Sequence, residues 1–395
     1  MRNVSDERAN ARDDRAALPA QPFFSTPAQR LALARERYFE QGVRPSGLVG
    51  EHVIQSWSRC LNEHRNPNEQ IAFNPVTPSR IHAALARCAG LLHAATEVLA
   101  QLEQALAGTA CTALLTDPQG VVVHATRSAE TPGQVLLPLA RRIGVNLDEA
   151  HVGTGAPGVT LRTGRACRVL GAEHFFNPLH VLHCAAAPIR DTHGRIAAVL
   201  DVTSELRPFA FDAAAVVSLY ATSIENRLLQ AQSSEHLVVQ LQISAALLGT
   251  PMEGLVGLDR NGRIVWANSA GSRLLGLEPG CAGLSAESVF GVGAAQLAAL
   301  SRSASACAHR LPSGLTVWWA ARMLAPDGAG ALHALGLPGG AGHSLPTPST
   351  TLRANDRNLV ERTLQACCGN VSLTARRLGV SRGLVYRHLK RATRP

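Results

Sequence analysis

The chain has 395 residues, 46% of them hydrophobic, 17% charged and only 4% aromatic. That length supports two or three domains, each with its own core. A mean hydropathy near zero, with no apolar run approaching the ~18 residues of a spanning helix, excludes a membrane-embedded chain.

The first segment, 1–42, alternates acids and bases and predicts a disordered or weakly ordered tail without a secretory signal. A helical lead-in is expected over 43–84. From 85 to 232, the strand-like runs CTALLTD, GVVVHAT, RACRVLG and RIAAVLDVT are separated by Gly, Asp and Pro turns, with helical stretches at both ends. This pattern predicts an α+β domain. Nine scattered cysteines, an odd number, point to reduced thiols in a cytoplasm.

Candidate ligand contacts lie inside that domain. Gly153, Thr154 and Gly155 can expose backbone amides, and Glu173, His174, Phe175, His180 and His183 share a loop flanked by Gly and Pro. Each histidine, taken alone, reads more simply as a hydrogen-bonded loop or core residue. His180, His183 and Cys184 are donor types that suit zinc or iron. No second ligand pair at metal spacing accompanies them, so neither a metal nor a cofactor is expected. Cys184 lacks any recognisable oxyanion site, and no catalytic residue is assigned. A hydrolase or metalloenzyme built on the His174–Cys184 loop is the remote alternative.

Phe211 to Leu248 is rich in helix formers, and Val217, Tyr220, Ile224 and Leu228 recur on one helical face. The stretch reads equally as a core helix closing the preceding domain or as a connecting, dimerising one, with a connecting helix placed at 233–251. A second α+β unit is expected over 252–335. It opens with EGLVGLDRNGRIVWANSAGSRLLG, read as strand, Asn261-Gly262 turn, strand and helix, and closes near the strand-like LTVWWAARML. Gly, Pro, Ser and Thr then mark a flexible linker at 336–351.

The last segment, 352–395, is an all-α module that carries most of the formal charge of +9: ten bases stand against Asp356 and Glu361 alone. Such a tethered basic module is the electrostatic footprint of a nucleic-acid binder. Gly369 can end its first helix, Asn370 or Ser372 can cap the second, and Gly379 permits a tight turn. Ser381 caps a third helix, with Val385 and Leu389 inward and Arg382, Gly383, Tyr386, Arg387, Lys390 and Arg391 available to DNA.

GNVSLTARRLGVSRGLVYRHLK resembles the helix-turn-helix of the Fis family, the DNA-binding end of many bacterial activators. VRPSGLVGEHVIQSWSRCLNE, 43–63, and the stretch HVGTGAPGVTLRTGRACRVLGAEHFFNPLHVLHCAAAPIRDTHGRIAAVLDVT resemble activators similar to the acetoin-catabolism regulator. That resemblance implies a GAF-type sensor domain for a small molecule. The chain departs from the family at Gly153–Gly158, which reads Gly-Thr-Gly-Ala-Pro-Gly, and at Cys184–Ile189, which reads Cys-Ala-Ala-Ala-Pro-Ile. Both changes remove polar side chains, so a weakly polar effector is expected. LVGLDRNGRIVWANSAGSRLLG resembles a PAS domain.

Relatives of this arrangement usually carry a central AAA+ ATPase that remodels sigma-N polymerase. Its Gly-x-x-x-x-Gly-Lys-Ser/Thr loop has no counterpart here, and the single lysine, Lys390, lies in the third helix of the basic module. The sequence therefore predicts a multidomain α+β regulator, not an enzyme, acting in the cytoplasm as a homodimer. Its expected partners are double-stranded DNA, a small-molecule effector and RNA polymerase, with no membrane involved. The second reading is a ligand-independent co-regulator or antagonist of full-length relatives.

Overall fold

The computed structural model describes residues 26–127, 132–233, 236–277, 282–302, 306–323 and Val371. The chain divides into two units, Met1–Ala334 and Leu335–Pro395. The predicted linker and, apart from Val371, the helix-turn-helix with Ser381, Arg382, Gly383, Tyr386, Arg387, Lys390 and Arg391 lie outside the described residues.

Helix begins well inside the expected tail. Thr26 Oγ1 accepts the Gln29 N–H at 3.2 Å and Pro27 takes the first turn, where its missing N–H costs nothing. Helix α1, Pro27–Arg35, runs on as a wider turn through Glu40. The cause of this order is aromatic. Tyr38 and Phe39 lie 5.4 and 5.0 Å from the ring of Trp57, which is fully buried on α2, Glu51–Asn62. On α2, Val53, Ile54, Trp57 and Cys60 form one buried face. Helices α3, Pro78–Arg87, and α4, Ala89–Leu106, follow.

Next come strands β1, Cys111–Thr116, and β2, Val122–Ala125, then three short helices: α5, Leu137–Ala140, α6, Glu149–Val152, and α7, Ala156–Thr163. Strands β3, Cys167–Leu170, β4, Leu182–Arg190, and β5, Ile196–Glu205, complete a five-stranded sheet of order β2-β1-β5-β4-β3, antiparallel throughout. Side chains alternate across a strand. Ala185, Ala187 and Ile189 of β4 and Ala198, Leu200 and Val202 of β5 therefore join α4 and α8, Ala213–Ala231, in one core. Leu114, Cys184, Ala186 and Val199 face the other way, into a layer of α2, α6, α7 and the 171–181 loop. Both faces are buried, so the sequence shows apolar runs rather than clean alternation.

The helix expected to continue through 233–251 ends instead at Ala231, and Leu237–Gln242 is strand β6. With β7, Gly254–Leu258, β8, Ile264–Ala267, β9, Cys307–Arg310, and β10, Thr316–Met323, it forms a second antiparallel sheet of order β8-β7-β6-β10-β9. As its central strand, β6 has both faces covered: Val239 and Leu241 enter one core and Val238 another. A short apolar run of this kind has no period that separates strand from helix. Helices α9, Ser269–Leu275, α10, Ala286–Phe290, and α11, Ala294–Leu300, accompany this sheet. The β7–β8 hairpin turns as the sequence predicts. Asp259 Oδ1 accepts the N–H groups of Asn261 and Arg263, and Gly262 takes φ +71°. The described architecture is thus mixed α+β with antiparallel sheets.

Candidate functional site

The face of the first sheet opposite α4 and α8 encloses a mostly apolar cavity with about 30 Å³ open to a water-sized sphere. Ala140 of α5, Val152 of α6 and Pro157 of α7 bring the short helices to its wall, and Phe73, Leu179 and Leu182 close the rest. Four polar side chains also reach it: His174, Cys184, Asp201 and Thr203. Strand parity accounts for the last three. Asp201 and Thr203 are two residues apart on β5, and Cys184 is the residue paired with Thr203 on β4.

These four groups form a connected chain. His174 Nδ1 lies 2.9 Å from the Gly171 carbonyl, which can only accept, so Nδ1 carries the proton and Nε2 is the basic nitrogen. Burial drives this imidazole down to about 4, keeping it neutral. Its Nε2 faces Cys184 Sγ at 3.6 Å, and burial pushes the thiol far above its ordinary value. Thr203 Oγ1 sits 3.2 Å from that sulfur and 2.5 Å from Asp201 Oδ2. Burial raises the Asp201 carboxyl to about 7, against a smaller opposing effect of Thr203.

A threonine has one hydrogen to give. If Asp201 is protonated on Oδ2, every hydrogen finds an acceptor in one direction: Asp201 to Thr203, Thr203 to Cys184, Cys184 to His174, His174 to Gly171. If Asp201 ionises, Thr203 must turn to it and the sulfur loses its donor. In the neutral arrangement Asp201 Oδ1 is a carbonyl-type acceptor, buried and without a hydrogen-bond partner. An unmet buried acceptor costs about 1–3 kcal/mol.

Of the residues expected from the sequence, the structure brings Gly155 and His174 to the cavity. Thr154 Oγ1 instead pairs with Ser56 Oγ at 2.7 Å, joining the start of α7 to α2. Gly153 takes φ +64°, and a Cβ there would stand 2.6 Å from the Phe176 ring, so only glycine fits. The Glu173 carboxylate accepts the Leu170 N–H at 2.8 Å and its carbonyl accepts Trp57 Nε1–H at 2.8 Å. Phe175 is fully buried, 5.0 Å from Phe176 and 5.6 Å from Phe39, behind the cavity rather than in its wall. His180 is half-buried and lowered to about 4 by burial and by Arg35. His183 projects from β4 on the other side from Cys184, 6.5 Å from the Phe209 ring. Strand parity removes it from the cavity. Among the described residues no cluster of three His, Cys, Asp or Glu side chains could hold a metal ion.

The cavity residues not singled out in the sequence include Asp201, Thr203 and Phe73. Asp201 did leave a signal, an acid in the middle of the apolar strand AAVLDVT. Arg35 was also unforeseen. Its guanidinium donates to the carbonyls of Ala172, His174 and Phe175 at 3.0, 2.9 and 3.3 Å and to Asn177 Oδ1 at 2.7 Å. It also stacks over Phe39 at 4.6 Å. Burial lowers it to about 10, and it forms no ion pair among the described residues.

The sheet with its small polar-tipped cavity stands on a chain whose far end matches a helix-turn-helix profile. Residues 351–391 match the bacterial regulatory protein profile of the Fis family. Residues 25–225, half of the chain, match the profile of the MimR N-terminal domain, and the chain belongs to that family. The acetoin catabolism regulatory protein of Cupriavidus necator is 31% identical over 228 residues, covering 56% of this chain and 34% of its own. The propane 2-monooxygenase operon transcriptional activator MimR of Mycolicibacterium smegmatis is 30% identical over 186 residues, covering 46% of this chain and 30% of its own. The chain thus spans about a third of the length of these relatives. A solved E. coli DhaR(N)–DhaL complex aligns with a TM-score of 0.43 at 15% identity, over 69% of this chain and 99% of that one. These relatives, like the acetoin dehydrogenase operon activator AcoR of Bacillus subtilis, are named as transcriptional regulators. Among the described residues no single helix is long and apolar enough to cross a membrane.

Proposed function

We propose that this protein is an effector-responsive transcription regulator. The first sheet and its roof act as a GAF-type sensor, the second sheet as a PAS-type relay, and the C-terminal module binds DNA as a homodimer in the cytoplasm. The observation that carries the sensor reading is the cavity over Asp201. It is apolar except for one directional hydrogen-bond chain, and that chain leaves a single acceptor, Asp201 Oδ1, without a partner. The matching effector is a small uncharged molecule with an apolar body and one hydroxyl or amide hydrogen to donate. The regulator works without ATP hydrolysis on housekeeping polymerase. Support for this is the lack of a phosphate-cradling loop before Lys390.

The test is a thermal-shift panel of small neutral alcohols, ketols and amides, acetoin among them, read beside a DNA footprint. A bound effector raises the melting temperature by linkage. Thr203→Val, which keeps the volume and breaks the chain, abolishes the shift. Arg382→Ala and Arg387→Ala abolish the footprint and leave the shift intact. No shift across the panel with DNA binding preserved would instead establish the ligand-independent co-regulator.

A further inference from the structure

A second cavity, with about 200 Å³ open to a water-sized sphere, lies outside the first. Its lining is mixed: the polar side chains of Arg65, Glu69, Gln70, Asn74, Asn146 and His151 stand beside Ile71, Ala72, Phe73 and Val152. Two residues, Phe73 and Val152, line both. They form a shared partition between this chamber and the inner site.

The outer chamber is built to receive a polar group. Asn146 is 3% exposed; its Oδ1 is committed to the Asp148 N–H at 3.0 Å, and its Nδ2 is buried with no partner. The partition itself is unusual in its backbone. Phe73 adopts φ +49°, a region that bulky side chains rarely occupy and that collects at ligand-handling sites. Its carbonyl is held by Arg142 Nη2 at 2.8 Å, and the following segment is pinned by the Val76 N–H on Gly144 O at 2.8 Å. The main chain is therefore held by these hydrogen bonds, which leaves the side-chain torsions as the degrees of freedom of this residue.

We infer that Phe73, backed by Val152, is the residue that controls access to the inner cavity: ligands enter through the Asn146 chamber and the ring sets their size limit. The inference rests on the effector reading of the inner cavity, but it can be tested without the effector. Cys184 lines the inner cavity, whereas Cys88 is buried in the core on the opposite face of the sheet. The full-length protein is treated with methyl methanethiosulfonate, a small neutral thiol reagent, and with the bulkier N-phenylmaleimide. Modification at each cysteine is followed by peptide mass spectrometry. Phe73→Ala is expected to speed labelling of Cys184 at least tenfold, to abolish its preference for the smaller reagent, and to leave Cys88 unchanged. Phe73→Trp is expected to slow Cys184 several-fold. Unchanged Cys184 rates in both variants overturn the proposal. If Cys88 accelerates together with Cys184 in Phe73→Ala, Val152→Ala decides, because it thins the same partition from α6; no selective gain at Cys184 there also overturns it. A thermal-shift panel that fails while this labelling succeeds removes the effector and keeps the access route.

Discussion

Asp201 is a carboxylic acid at the centre of a β-sheet with no ion-pair partner among the described residues, and the cost of ionising it there appears directly in stability. The folded chain holds it neutral up to about 7, whereas the unfolded chain ionises it near 3.8. Between those values the native state binds more protons, so the stabilising contribution present at low pH is lost progressively as pH rises toward 7 and is flat above it. His174 works in the opposite sense. Lowered to about 4, it must charge on unfolding below 6.5, so its contribution grows from pH 4 to 6.5. The two slopes oppose each other in the native protein, and a variant is needed to separate them. Asp201→Asn keeps the shape and still donates to Thr203, but has nothing to ionise. Relative to this variant, the native protein should lose stability by up to ~1.4 kcal/mol per pH unit between pH 5 and 7 in urea melts. A difference that stays constant over that range would show that Asp201 is ionised in the folded state. This residue was readable in principle, as an acid amid apolar neighbours. Which face it occupied was not, because in a strand buried on both sides parity is set by the partners.

Among the elements, α1 shows how a short, polar-looking helix can be structural. Its sequence offers only a cap, a proline and weak amphipathicity, so the charge pattern of the tail dominates the reading. What orders it lies elsewhere in the chain: Trp57 and Phe175 for its rings, and the carbonyls of 172–177 for Arg35. The hairpin at Asn261-Gly262, by contrast, is local chemistry and was legible. Strand β6 was not, since a short doubly buried run carries no period. Arg35 fastens the loop that presents His174 to the cavity, so α1 and the site are one mechanical piece. Removing a charged donor from part-buried acceptors should cost about 1–3 kcal/mol, chiefly the loss of charged hydrogen bonds. Arg35→Ala is therefore expected to lower the melting temperature and to raise hydrogen exchange at 172–177 more than in β4 or β5. Arg35→Lys should recover only part of this, because one ammonium cannot span four acceptors. Uniform exchange changes along the chain would show that α1 acts on global stability alone.

Over the described molecule, the two sheets meet at a small junction on the last turns of α8. Leu229 packs with Val238, Leu255 and Trp266, and beside them Asn226 Oδ1 accepts from Asn268 Nδ2 at 2.8 Å while Asn226 Nδ2 donates to Pro251 O at 3.3 Å. Asn268 in turn donates to Glu253 O and accepts from Leu255 and Gly271. The face of α8 that carries Val217 and Ile224 lies in the first core, while Leu229 near its end packs with the second sheet, so one helix touches both sheets. The sequence offered a core helix or a connecting, dimerising one, and Val217, Ile224 and Leu228 lie in the first core. Four apolar side chains and one amide pair are a modest joint, and losing the Asn226 amide should remove about 1–3 kcal/mol of it. Each sheet keeps its own core without it. Asn226→Ala is therefore expected to split a single calorimetric transition into two, one for each sheet, while circular dichroism at low temperature stays native. A coupling carried by this joint also predicts that the variant still gains melting temperature in its first transition with a binding effector, but no longer passes the gain to the second. If the two transitions remain fused and shift together, the amide pair is not the coupler, and the signal crosses through the Leu229–Trp266 contacts alone.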